Sequence, residues 1–182
     1  MADTAATHQE DPSRRDFIHV AAGAGAAGAV VAIAWPMIDQ MEPSTDVLAL
    51  STLEQDISKV VLGQEIVVKW QGKPVFVRHR TAKEIADAVA VDNDPAQFNG
   101  LRDKQTDASR VKPGKAEWLI LVGICTHLGC VPTFGQGDYG GWLCPCHGSQ
   151  YDTSGRIRKG PAPLNLAVPD YSFLSDTKVK IG

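Results

Sequence analysis

The chain has 182 residues, 43% of them apolar and 21% charged, with a formal net charge of −3. That length and composition suit one globular domain plus an additional element. The slightly acidic balance argues against nucleic acid as a partner.

Residues 1–12 are polar and small, without periodicity, and read as a tail. Ser13-Arg14-Arg15-Asp16-Phe17-Ile18 resembles a twin-arginine export signal, the route that carries folded proteins with cofactors already inserted. The 22 residues from 17 to 38 contain no Asp, Glu, Lys or Arg. As a helix they span about 33 Å, enough for a hydrocarbon core of about 30 Å. Half of the run is Ala or Gly, including Gly23, Gly25 and Gly28, which permits close packing against neighbouring membrane helices. Arg14 and Arg15 precede the run and acidic Asp39, Glu42 and Asp46 follow it, so the positive-inside rule puts the tail in the cytoplasm and the rest outside. Ala32-Ile33-Ala34 has the small-x-small form of a signal-peptidase site, and cleavage there would release a soluble protein. Residues 39–49 are polar with one Pro and read as a linker.

Beyond residue 47 the pattern is mostly β. Residues 65–70 and 74–79 flank Gln71-Gly72-Lys73 and predict a hairpin, with His79 and the basic residues beside it on a solvated strand. Thr81 followed three residues later by Glu84 predicts a capping box and one short helix to about Val91. Residues 92–114 are polar, with Pro95, Gly100, Pro113 and Gly114, and read as a surface loop or insertion. Residues 118–124 form a fully apolar strand, and 141–143 a second approach strand. Segments 165–168, 171–174 and 178–181 complete an antiparallel set. The expected architecture is a small all-β domain of stacked antiparallel sheets.

The chemistry lies in two loops, C-T-H-L-G-C over 125–130 and C-P-C-H-G-S over 144–149. They hold all four cysteines of the chain and two of its five histidines. Six soft or borderline ligands exceed what a tetrahedral zinc ion needs, and the spacing departs from the usual zinc patterns. Two structural disulfides would leave a His at ligand spacing in each loop unexplained. Two thiolates with two imidazoles suit a [2Fe–2S] cluster with Cys on one iron and His on the other. That leaves two cysteines over, one per loop, free to pair as a disulfide.

Both loops, with Y-D-T-S-G-R-I-R-K-G-P-A-P over 151–163, resemble the Rieske iron–sulfur subunits of cytochrome bc1 complexes. The resemblance implies an all-β, Rieske-type antiparallel β sandwich over 50–182 with a small cluster-binding subdomain at about 123–163. A cytoplasmic tail (1–16), a single N-terminal transmembrane α-helix (17–38) and a flexible hinge (39–49) precede it. It implies Cys125, His127, Cys144 and His147 as cluster ligands, and a Cys130–Cys146 disulfide clamping the loops. It further implies Ser149 donating to a bridging sulfide and Tyr151 to the Cys125 thiolate. Gly129 would allow a tight turn at the cluster, with Leu128, Pro161 and Pro163 shielding it. His147, with His127 at the same exposed tip, would take the proton of ubiquinol as the cluster takes one electron. The electron would pass to a c-type cytochrome, cytochrome b taking the second, within a dimeric, proton-translocating complex of the bacterial inner membrane with the cluster in the periplasm.

Three neighbouring classes share parts of the pattern. The small subunit of arsenite oxidase shares the export signal and cluster, but Gly160-Pro161-Ala162-Pro163 favours the bc1 type. Gln150 resembles the plastoquinol-oxidising branch, whereas Arg156-Ile157-Arg158-Lys159-Gly160 looks respiratory. A soluble Rieske ferredoxin would lack both the anchor and the Cys130/Cys146 pair.

Overall fold

Ser13 opens the first helix. Its hydroxyl accepts the Asp16 N–H at 3.3 Å, and the Asp16 carboxylate accepts the Ser13 N–H at 2.9 Å. This capping box starts α1 at Arg14, so the helix runs Arg14–Asp39 and includes both arginines in its first turn. Asp16 there offsets the unfavourable placement of two cations at the positive end of the helix dipole. The computed structural model describes residues 13–45 and 51–182, which divide into a helical unit and a β unit. No residue of α1 is buried within its own unit, and its length and hydropathy suffice to cross a membrane. The segment expected as a hinge, 39–49, overlaps α1 at Asp39, and its residues 46–49 lie outside the described segments.

The β unit runs β1 (Leu53–Asp56), β2 (Glu65–Trp70), β3 (Lys73–His79), α2 (Ala82–Asn93), α3 (Pro95–Asn99), α4 (Asp107–Arg110) and β4 (Trp118–Val122). It continues with β5 (Thr133–Phe134), β6 (Gly140–Leu143), β7 (Gln150–Asp152), β8 (Ile157–Lys159), β9 (Tyr171–Ser175) and β10 (Lys178–Ile181). Among the described residues all pairings are antiparallel and form three sheets, β1-β10-β9, β2-β3-β4 and β5-β6-β7-β8. The predicted hairpin closes at Gln71 and Gly72, with Trp70 opposite Lys73.

The β2-β3-β4 sheet is covered on both faces, which explains its unbroken apolar runs. Side chains alternate across a strand. Val75, Val77, Trp118 and Ile120 therefore join Ile57, Val179 and Ile181 in one core. Phe76, Leu119 and Leu121 point the other way, into a second core with Trp142, Tyr151, Ile157 and Leu166. Each large aliphatic side chain so buried contributes about 1.5–3 kcal/mol. The second core is the floor on which the two cysteine loops stand, because Cys125 and Cys144 belong to it.

Three expectations are corrected. The basic end of β3 is not solvated: Arg78 and Arg80 are 5% and 1% exposed. Arg78 lies over the Phe134 ring and pairs with Glu84, Arg80 pairs with Asp107 at 2.6 Å, and His79 stacks on Trp118 at 4.2 Å. Residues 92–114 are not a surface loop. They carry α3 and α4 and place Asp107 and Arg110 in the interior, where ion pairs and carbonyls satisfy them. Segment 165–168 joins no ladder; it is tied down singly, by Val122 N–H to the Ala167 carbonyl and Leu166 N–H to the Gly155 carbonyl.

Candidate metal centre

The two cysteine loops are built alike. In the first, which follows β4, the Gly129 N–H returns to the Cys125 carbonyl at 3.0 Å. In the second, between β6 and β7, the Gly148 N–H returns to the Cys144 carbonyl at the same distance. Each turn needs a residue at positive φ, 82° at Gly129 and 73° at Gly148, which glycine adopts without a steric cost. The Cys125 N–H then bonds the Cys130 carbonyl, and the Cys144 N–H the Ser149 carbonyl, closing each loop on itself.

The donors separate by depth. Cys125 and Cys144 are free thiols, buried at 2% and 3% exposure, on the second core. His127 is half-buried and His147 exposed, and their rings meet edge to face with centroids 4.7 Å apart. Cys130 and Cys146 form a disulfide with Cα atoms 6.7 Å apart, joining one loop to the other. The sulfurs of Cys130, Cys144 and Cys146 lie within 4.8 Å of one another. Two of these three are oxidised to the disulfide and cannot act as thiolates, so the trio is no three-thiolate site.

Burial pushes the Cys125 thiol up, but hydrogen bonds from Tyr151, the His127 backbone, Cys144 and Ser149 outweigh it and hold the thiol below its ordinary value. Burial dominates at Cys144 and, with the Cys125 sulfur beside it, raises that thiol. The Tyr151 hydroxyl donates to Cys125 Sγ at 3.2 Å; burial and this bond push its own pKa well up, so it remains a donor. Ser149 is fully buried, and its oxygen accepts the Ala162 N–H at 3.1 Å.

The 160–163 loop lies beside both cysteine loops. Ala162 is fully buried against Ser149, while Pro161 and Pro163 on either side are exposed. Leu128 is 71% exposed, and Leu164 is 56% exposed. Thr126 Oγ donates to the Leu164 carbonyl at 2.7 Å and accepts the Leu164 N–H at 3.3 Å, locking the first loop to the proline loop. Sequence reasoning missed Thr126 and Ala162, although both sit inside the motifs that it used. Gln150 bridges its side chain to the backbone and carboxylate of Asp138, steadying the turn before β6.

Comparison with known proteins places this geometry. The Rieske [2Fe-2S] domain family matches residues 45–171. A second family, described as "Ubiquitinol-cytochrome C reductase Fe-S subunit TAT signal", matches residues 4–44. The ubiquinol-cytochrome c reductase iron-sulfur subunit of Rickettsia felis is 54% identical over 182 residues, covering 100% of both chains. That of Rhodospirillum rubrum is 56% identical, covering 98% of this chain and 97% of its own. The mitochondrial Rieske subunit of the cytochrome b-c1 complex of Schizosaccharomyces pombe is 54% identical, covering 88% of this chain and 67% of its own. The signal-like apolar helix and this kinship together indicate a membrane-anchored chain. With stacked antiparallel sheets, a loop pair carrying thiols and imidazoles, and near-full-length identity above one half to the two bacterial relatives, the chain belongs to the Rieske [2Fe-2S] family, in its group of ubiquinol–cytochrome c reductase iron–sulfur subunits, the redox subunits of that oxidoreductase.

Proposed function

We propose that Cys125 and Cys144 hold one iron of the [2Fe–2S] cluster and that His127 and His147 hold the other. The division of donors by depth carries this reading: two free thiols inside, two imidazoles facing each other at the tip, and the remaining sulfurs withdrawn into a disulfide. Such a centre is a one-electron carrier whose potential lies in a range of roughly −150 to +300 mV. The hydrogen bond from Tyr151 to Cys125, joined by one from the buried Ser149 hydroxyl to a bridging sulfide, would favour the more negative, reduced state and so the upper part of that range.

His147 is the more exposed imidazole. Its ring nitrogen not used for iron would accept a hydrogen bond and then a proton from the hydroxyl of ubiquinol as one quinol electron passes to the cluster these residues would hold, and His127 shares the exposed tip. The electron then leaves from the same tip to a c-type cytochrome, while the second quinol electron goes to cytochrome b in the same dimeric complex. Release of the proton outside the membrane couples the reaction to proton translocation. The β unit is the periplasmic head, residues 39–49 its hinge, and α1 its single span in a bacterial inner membrane, with the tail inside because Arg14 and Arg15 precede the span.

An electron paramagnetic resonance redox titration of the full-length chain in membranes, at several pH values, tests this reading. A Rieske-type signal at high potential, with the potential falling as pH rises above neutral, is expected. A low potential independent of pH would move the protein to the ferredoxin class. Loss of the signal in His147→Ala and in Cys144→Ala tests the ligand assignment.

A further inference from the structure

Arg102 belongs to none of the cysteine-loop motifs and sits in the 92–114 segment, yet it grips the loop that covers Ser149. Its Nη1 donates to the Gly160 carbonyl and, at 2.8 Å, to the Ala162 carbonyl. Those two oxygens flank the Pro161–Ala162 peptide, whose N–H donates to Ser149 Oγ at 3.1 Å. The chain is in addition as close to Ser149 as it can come at this point: a Cβ on Gly160 would lie 2.5 Å from Ser149 Cα. Arg102 therefore fixes the orientation of one peptide at its nearest approach to the site.

Arg102 is itself held. Leu101 before it is 4% exposed, and Asp103 after it accepts the Asn165 N–H at 3.2 Å. The Asp103 carbonyl accepts from the Asn165 side chain at 3.1 Å, and Asn165 Oδ1 accepts the Ile157 N–H at 2.9 Å. The guanidinium thus projects from a segment anchored on both sides to the sheet beneath the loops. A planar fork with several donors in fixed geometry suits the bridging of two carbonyls.

We propose that Arg102 is a positioning residue for the redox centre. By clamping the Gly160 and Ala162 carbonyls it keeps the Ala162 N–H on Ser149 Oγ, which occupies that oxygen as an acceptor and turns the hydroxyl proton toward the sulfur side of the site. Ser149 is fully buried, and with its oxygen accepting the Ala162 N–H its own proton is left for the site. The inference rests on the reading that the Ser149 hydroxyl stabilises the reduced centre. Without Arg102 the peptide can rotate, the hydroxyl spends less time on sulfur, and the reduced state loses part of that stabilisation.

The test is a cycle of Arg102→Met, Ser149→Ala and the double variant in the full-length chain, with the midpoint potential read by paramagnetic resonance. Amide hydrogen exchange at Ala162 gives a readout independent of potential. Ser149→Ala is expected to lower the potential, Arg102→Met to lower it by a smaller amount and accelerate Ala162 exchange, and the double variant to match Ser149→Ala alone. A wild-type potential in Arg102→Met, with Ser149→Ala lowered, would overturn the proposal and leave the reading of Ser149 standing. An equal drop from Arg102→Met in both backgrounds would also overturn it, since the lost positive charge alone would then explain the shift. An unchanged potential in Ser149→Ala would remove the reading of Ser149 and the proposal with it.

Discussion

The Tyr151 hydroxyl donates to Cys125 Sγ at 3.2 Å while accepting the Thr126 N–H at 3.4 Å, so one phenol on β7 orders both a sulfur and the backbone of the opposite loop. The second bond restrains the phenol oxygen and helps keep its proton directed at sulfur. Tyr151→Phe keeps the buried ring, at 1% exposure, and removes only the hydroxyl. The loss of one such bond is worth about 1 kcal/mol, which for a one-electron couple is roughly 40 mV. The variant is expected to fold and to show a midpoint potential lower by about that amount. A redox titration with an unchanged midpoint would remove Tyr151 from the tuning of the centre.

The Cys130–Cys146 disulfide spans a sequence separation of 16 and joins two loops that otherwise meet through their donors and the proline loop. In the chain-entropy model a closure of that size is worth roughly 3 kcal/mol. Replacing both cysteines by Ser is expected to lower the urea midpoint of the β unit and to speed the loss of cluster absorbance. Because each loop closes on its own backbone, through Cys125 with Cys130 and Cys144 with Ser149, the sheets beneath should survive. Equal rates of cluster loss in the variant and the wild type would show that the proline loop alone clamps the site.

Arg80 and Asp107 form a buried pair, with side chains 0% and 4% exposed, and Asp107 also accepts the Ser154 hydroxyl at 2.7 Å. Removing one partner of such a pair strands the other charge, at about 3–5 kcal/mol. Asp107→Ala is therefore expected to destabilise the β unit by about that much in urea unfolding, and Asp107→Asn by less, since the amide oxygen still accepts. A loss below about 1 kcal/mol in the Ala variant would mean that water reaches Arg80 and solvates it.

That pair also marks where the sequence stops being readable. The cysteine loops announced themselves because ligand chemistry demands particular residue types at fixed spacing, and the Thr81–Glu84 box and the 65–79 hairpin rest on equally local rules. Residues 92–114 obey a local rule only at the Asp94 cap and Pro95 that open α3. Polar composition ordinarily means solvent, and only partners distant in the chain turn Asp92, Asp107 and Arg110 inward: Arg156 for the first, Arg80 for the second, and the carbonyls of Ser154 and Leu166 for the third. Arg78 on β3 and Arg80 just after it misled in the same way. Arg102 left no signal at all, since its value lies in two backbone carbonyls about sixty residues downstream.

Glu65 on β2 accepts the Trp142 indole N–H at 2.9 Å, and Trp142 is fully buried beneath the second cysteine loop. Burial raises the Glu65 carboxyl above its ordinary value near 4.5; the Trp142 bond and the Arg78 charge oppose this without cancelling it, and Glu84 adds to it. The folded chain thus holds the Glu65 proton more tightly than the unfolded chain does. The stability this provides is complete below the unfolded value and is lost as pH rises through the folded one. Glu65→Gln keeps an acceptor for Trp142 and removes the titration. Its stability relative to the wild type should therefore increase between about pH 4 and neutrality, as read from urea midpoints at both ends of that window. A difference between variant and wild type that stays constant with pH would show that the Trp142 bond and the Arg78 charge together cancel the effect of burial on Glu65.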